Sequence, residues 1–253
     1  MGVVTEKRAR AGYVTFSRPP LNVLNLALLR ELGRVLESVK TDDAVDFLVL
    51  RGEGERAFSA GVDVADHTAE RVPEMLETVH GVMKNLFSLP QVTVAVIDGA
   101  CLGGGCELAS CCDFLLASED SFFATPEINV GCYPPVALAR FASEIGYHRA
   151  AEMILTGKRF SAAEACAMGF VNRIVPRPEL DQALEEFLDE LRGKSRAVLR
   201  VTVQGLREIA LRSFSQALKR SEEIYLNDLL KTEDVEEGVR AFVEKRKPIW
   251  KHR

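Results

Sequence analysis

Histidine is scarce in this chain and never falls beside a nucleophile motif: the four copies sit alone at 67, 80, 148 and 252. Neither a Gly-x-Ser-x-Gly elbow nor a Gly-Lys-Ser/Thr P-loop nor a Gly-x-Gly-x-x-Gly dinucleotide fingerprint is present, so three common enzyme classes lack their usual signatures. No apolar run approaches the roughly 20 residues of a membrane-spanning helix. The first ten residues are polar and basic, without the apolar segment of a secretory signal. A cytoplasmic protein is expected, with no membrane partner. There is also no excess of positive charge: the formal net charge is −5, which argues against nucleic acid as the main partner. Cysteine is present at 101, 106, 111, 112, 132 and 166, but never as Cys-x-x-Cys and never with a histidine nearby. Free thiols packed as small apolar groups are expected, rather than a metal site.

What the chain does have is length and apolar content. Its 253 residues, 47% hydrophobic, suffice for one large core with or without a small appendage. The first two-thirds alternates short strands with helices. Tyr13–Phe16, Phe47–Leu50, Val92–Ile97, Phe114–Ala117 and Phe122–Ala124 are strand-like runs. Leu28, Leu32, Val35, Leu36 and Val39 mark one helical face, and a second helix is expected from Val72 to Leu86. Gly103-Gly104-Gly105 opens a helix running to about Cys112. This rhythm predicts an α/β fold. Ser161-Ala162-Ala163-Glu164 reads as a capping box, and Phe170–Val175 as a last strand. From Leu180 to about Lys247 the pattern is amphipathic helix, read as an assembly element that packs on a neighbouring surface. The expected division is 1–190 and 191–253.

Two segments can carry chemistry. Phe58-Ser59-Ala60-Gly61-Val62-Asp63-Val64 is a small-residue turn before an acid, and Asp98 to Glu107 is a glycine-rich turn feeding a helix. Backbone amides in such turns can converge on one oxygen and stabilise developing negative charge. Taken alone, each is equally readable as a tight turn or a close helix contact. Glu107 on the glycine-led helix and Glu127 after Thr125-Pro126 could be surface groups, but the apolar neighbours of Glu127 favour burial and a raised pKa. Paired carboxylates can hold a water and exchange protons with a substrate.

These segments, with Ala124–Gly131 and the terminal Gly238–Lys247, resemble the enoyl-CoA hydratase/isomerase (crotonase) family in order and spacing from about Tyr13 onward. The resemblance implies a spiral of ββα turns with a C-terminal helical region that builds trimers or dimers of trimers. It implies that the amides of Val62 and Gly104 polarise a thioester carbonyl. Glu107 and Glu127 fall on the two catalytic carboxylate positions, the first activating water and the second supplying the α-carbon proton. The turn Ala60, Gly61, Val62, Asp63, Val64 and Ala65 would embrace coenzyme A, which is part of the substrate; no separate cofactor is implied. Phe242 and Lys245 would approach coenzyme A in the oligomer. Both glutamates together favour a hydratase over an isomerase or a non-catalytic acyl-CoA binder.

One stretch departs from the family pattern. Where a flexible glycine-rich segment is usual, this chain has Cys132-Tyr133-Pro134-Pro135-Val136-Ala137-Leu138. Two prolines remove amide donors and fix φ, and Val136 and Leu138 are expected to add bulk to the acyl pocket. This variant resembles cyclohexa-1,5-diene-1-carbonyl-CoA hydratases; neutral drift in a generalist hydratase is the alternative.

Overall fold

A computed structural model describes residues 1–253, except the side chains of Leu211 and Arg212. The chain begins with β1 (Gly2–Arg8) and β2 (Ala11–Ser17), then α1 (Leu26–Lys40). Three windings follow, each giving one strand to each of two sheets: β3 (Phe47–Gly52) and β4 (Ala57–Ser59), then α2 (Val72–Phe87); β5 (Val92–Ile97) and β6 (Ala100–Leu102), then α3 (Gly104–Ser110); β7 (Phe114–Ser118) and β8 (Phe122–Ala124). The helices α4 (Pro135–Ile145) and α5 (Tyr147–Thr156) come next, then β9 (Phe160–Ser161), α6 (Ala162–Ala167) and β10 (Arg173–Val175). The chain closes with α7 (Leu180–Arg192), α8 (Arg196–Asn227) and α9 (Glu233–Val243).

The large sheet has the order β1-β2-β3-β5-β7-β10 and the small one β4-β6-β8-β9. Pairing is parallel except for β1 with β2 and β8 with β9. This is the expected α/β spiral. Every residue of β5 is buried because both sheet faces are covered. Val92, Val94 and Val96 meet Leu180, Leu184 and Leu188 of α7, whereas Ala95 and Ile97 join the main core with α1 and α2. Asn25 starts α1 by accepting the Leu28 amide at 3.0 Å, a side-chain N-cap.

The structure departs from the sequence expectation in several places. The polar N-terminus forms β1, an edge strand whose residues are exposed or half-buried, so no apolar alternation marks it. Only residues 173–175 of the expected last strand pair; Phe170 and Val171 are buried in the turn before it. The glycine-led helix stops at Ser110, and the C-terminal helical stretch is broken between α7, α8 and α9. The capping box at Ser161 and Glu164 is present in full. α8 buries Val203, Phe214, Leu218 and Tyr225 against its own chain, so it is only partly a surface for neighbours. Its outward Val198, Val201, Leu206 and Ile209 are exposed. No described helix is long and apolar enough to cross a membrane.

Candidate active site

The two small-residue turns meet. Leu24 forms a parallel bridge with Val62: its amide donates to Gly61 O at 2.8 Å, and its carbonyl accepts from the Asp63 amide at 3.0 Å. In such a bridge the central residue turns its own amide to the opposite side, so the N–H of Val62 faces away from Leu24. On that side stands Gly104, the first residue of α3, where a helix has no internal partner for its N–H. A Cβ at Gly104 would lie 2.6 Å from Val62 Cγ2 and 3.4 Å from Val62 N. A side chain at 104 would press first on the Val62 side chain, so glycine leaves that contact open.

Gly103 just ahead has φ 53° and ψ −127°, and a Cβ there would fall 2.5 Å from Glu127 Oε1. The glycines are therefore demanded by what they touch. Ser59 holds the first turn in place: its hydroxyl donates to Asn22 O at 2.8 Å and accepts the Gly61 amide at 3.1 Å.

Glu107 and Glu127 line one cavity of about 290 Å³ together with Ala60, Gly61, Val62, Val64 and Gly104. Glu107 is 3% exposed, and its Oε1 accepts the amides of Val136 at 2.7 Å and Ala137 at 2.9 Å. These are the free N–H groups at the start of α4, so Glu107 caps a neighbouring helix from inside the cavity. Burial raises its pKa, opposed by the two amides and by nearby His80. Glu127 lies in the turn Pro126–Val130, and its Oε2 is buried without a partner. Burial first and the charge of Glu107 second push its pKa from the ordinary 4.5 to about 8. Two carboxyls in one cavity thus stand in unlike surroundings, the arrangement that separates acid from base.

The proline segment is corrected by the structure. Pro134 and Pro135 both line the cavity, but as the start of α4 rather than as a stiff loop. Proline suits the first helical position because its missing N–H would have no partner there. The amides that matter, at 136 and 137, remain and serve Glu107. Val136 is buried in the core and Leu138 points outward, exposed, so neither adds bulk to the pocket.

Of the other candidate positions, Phe242 lines the cavity mouth. Asp63 and Ala65 do not line the cavity: the Asp63 carboxylate instead accepts the Ala65 amide at 3.2 Å and pairs with Arg18 at 3.0 Å. Lys245 is exposed at φ 54° just past α9 and does not line the cavity of this chain. Beside it Arg246 does, tied to Glu237 at 2.6 Å and 3.0 Å. Sequence reasoning missed Met75, Leu76, Val79 and His80 on α2, and Tyr133 and Tyr225, all of which line the cavity. The signal for His80 was available: a titratable residue inside the apolar stripe Leu76, Val79, Met83.

Five of the six thiols are buried; burial raises Cys111 to about 12 and Cys132 to about 11, so these are not reactive thiolates at neutral pH.

The family description Enoyl-CoA hydratase/isomerase matches residues 6–253. A probable enoyl-CoA hydratase of Rhizobium meliloti (strain 1021) is 37% identical, the match covering 99% of this chain and 98% of that protein. A cyclohexa-1,5-dienecarbonyl-CoA hydratase of Thauera aromatica is 29% identical over 94% of this chain and 91% of its own length. The crystal structure of an enoyl-CoA hydratase from Mycobacterium avium subsp. paratuberculosis K-10 superposes with a TM-score of 0.88 at 28% identity, covering 99% of this chain and 98% of that one. By sequence along its whole length and by fold, this chain belongs to the enoyl-CoA hydratase/isomerase family.

Proposed function

We propose that the protein is a hydratase that adds water across the α,β double bond of an acyl-CoA thioester. The observation that carries this reading is the pair of buried carboxyls facing one cavity beside the converging amides of Val62 and Gly104. The thioester oxygen lies between those two N–H groups. Glu107, ionised, takes a proton from water as its oxygen bonds to the β-carbon, and the π electrons move through the α-carbon onto the thioester oxygen. The enolate then collapses and takes the proton of Glu127 at the α-carbon. Solvent exchange returns the proton from Glu107 and restores that of Glu127. One water is consumed and no redox change occurs.

An isomerase needs only one carboxyl for shuttling a proton, and a pure binder gains nothing from burying two. The turn from Ala60 to Ala65 holds coenzyme A, with Phe242 and Lys245 reaching it in a homotrimer or dimer of trimers through the exposed face of α8; the protein acts in the cytoplasm. For the acyl group we favour a cyclic dienoyl thioester such as cyclohexa-1,5-diene-1-carbonyl-CoA. Support comes from the fixed Pro134-Pro135 wall and from the Thauera relative's name. Turnover of crotonyl-CoA and of the cyclic dienoyl-CoA, followed by loss of thioester conjugation in ¹⁸O-labelled water, tests both levels. Label in the product supports hydration; migration of the double bond without label overturns it. Faster turnover of crotonyl-CoA overturns the cyclic assignment alone.

A further inference from the structure

The terminal stretch Gly238–Lys247 takes no part in the proton transfers, yet Gly238, Phe242 and Arg246, with Pro248 just beyond, line the cavity that holds Glu107 and Glu127. The helical part of it is fixed by backbone contact. A Cβ at Gly238 would lie 2.3 Å from Val130 O, and one at Gly131 would lie 2.6 Å from Asp234 O, so α9 rests directly on the turn that carries Glu127. The tail beyond the helix is held differently. α9 ends in a Schellman turn: the Lys245 amide donates to Phe242 O at 3.1 Å and the Arg246 amide to Ala241 O at 3.0 Å, with Lys245 at φ 54°. That bend sends the chain back along the helix, where Glu237 receives it, 4% exposed. Glu237 Oε1 accepts Arg246 Nη1 at 2.6 Å and the Ile249 amide at 2.8 Å; Oε2 accepts Arg246 Nη2 at 3.0 Å and Arg240 Nη2 at 2.6 Å. Further along, Asp234 accepts the amides of Lys251 at 2.6 Å and His252 at 2.9 Å, and the Glu233 amide donates to Arg253 O at 2.9 Å. Arg246 first and Arg240 second hold the Glu237 carboxyl well below the usual carboxylate range.

We propose that Glu237 is a positioning residue that latches the C-terminal tail across the mouth of the cavity, so that Arg246 and Pro248 form its outer wall and retain a bound acyl-CoA. This rests on the reading of the cavity as an acyl-CoA site. A carboxylate buried on a helix is costly unless fully paired. Three of the four donors to Glu237 belong to the tail, and the fork of Arg246 fixes the plane of its guanidinium as well as its distance. The tail has little else to hold it: residues 244–247 and 249 are exposed, so its place depends on these hydrogen bonds rather than on apolar burial. Glu107, Glu127, Val62 and Gly104 all stand on other elements. Loss of the latch therefore weakens retention of the substrate and leaves the proton transfers in place.

Trp250 is the one tryptophan of the chain and lies half-buried in the latched tail, so its emission reports the latch without substrate. The test compares the full-length protein with E237Q, R246M and R240M by Trp250 emission, acrylamide quenching, and kinetics with crotonyl-CoA and the cyclic dienoyl-CoA. In E237Q and R246M the emission moves to the red and quenching rises. In both, KM rises about tenfold while kcat stays within about threefold, the pattern of lost uniform binding. E237Q keeps Arg246, itself in the cavity wall, and so separates positioning from direct contact. R240M removes only the partner on α9 and keeps wild-type emission and KM. Should E237Q not fold, R246M and R240M carry the measurement. Unchanged emission in both latch variants, a red shift with unchanged KM, or an R240M that matches E237Q overturns the inference and leaves the hydratase reading standing. If the wild type hydrates neither thioester, that reading fails and the role of Glu237 falls with it.

Discussion

Replacing Glu127 by glutamine should make the protein more stable and much less active, and the stabilisation should depend on pH in a calculable way. In the native state the Glu127 carboxyl titrates near 8, whereas an ordinary glutamate titrates at 4.5. The folded pKa is the higher one, so the native form prefers the proton. Below about 4.5 both states are protonated and the residue costs nothing. Between 4.5 and 8 the unfolded chain releases the proton and the native protein does not, which favours unfolding by about 1.4 kcal/mol per pH unit. At pH 7 the accumulated penalty is about 3 kcal/mol. Glutamine fits the same space and does not titrate. E127Q should therefore unfold roughly 6–12 °C above wild type at pH 7, for about 2–4 °C per kcal/mol in a chain of this size, and at the same temperature near pH 4. Differential scanning calorimetry across pH 4–8 at one protein concentration measures it. The same variant should lose about a hundredfold or more in kcat, since it has no proton to give. A Tm difference that stays constant from pH 4 to 8 would refute the claim that Glu127 is a buried, proton-holding acid.

Other outcomes follow from single contacts. In E107Q the charge that helps hold the proton on Glu127 is gone, so a ¹³C carboxyl titration of Glu127 should have its midpoint below 8. Gly104→Ala puts a methyl 2.6 Å from Val62 Cγ2 and should cut kcat/KM by about 10²–10³, the scale of losing an oxyanion donor, with a small change in Tm; unaltered kinetics would exclude the amide pair. Arg207 is 5% exposed and donates to Gln91 O and Thr93 Oγ1, both at 3.0 Å, and to Asp113 at 2.9 Å. R207M removes the cation from that carboxylate, leaving it only the amide and hydroxyl of Thr93, and should cost about 3 kcal/mol in urea unfolding. On the proposed assembly through the exposed face of α8, Ile209→Asp should give monomers in light scattering while the circular dichroism stays unchanged.

The elements that were legible in the sequence are those whose burial pattern is one-dimensional. β3 and β5 announce themselves because both faces are covered, leaving the unbroken apolar run Phe47–Leu50 in the first and a fully buried run with Thr93 as its one polar residue in the second. α1 does so because one face is covered and Leu28, Leu32 and Leu36 repeat with the helix. β1 does not, since its pairing is made by backbone alone along an exposed edge. The same distinction governs the site. Gly61, Gly103 and Gly104 could be found because crowded positions without room for a side chain leave glycines in the chain, and Glu107 because it follows them on the same helix. Tyr225 was hidden because α8 meets the cavity through tertiary packing, and nothing in that helix states which face will border a ligand; His80 left one mark, a titratable residue inside the apolar stripe of α2. The Pro134-Pro135 pair was visible, but its role depended on whether 136 and 137 begin a helix, which only the carboxylate of Glu107 makes plain.

That carboxylate fastens α4 to the reacting centre. Because one oxygen of Glu107 holds the first turn of the helix that walls the cavity, any drift in that wall drags the proposed base with it. On the proposed mechanism, substrate range and proton transfer are thus mechanically geared together. Insertions or deletions between Cys132 and Pro135 cannot simply enlarge the cavity; they also shift the carboxylate proposed to act on water.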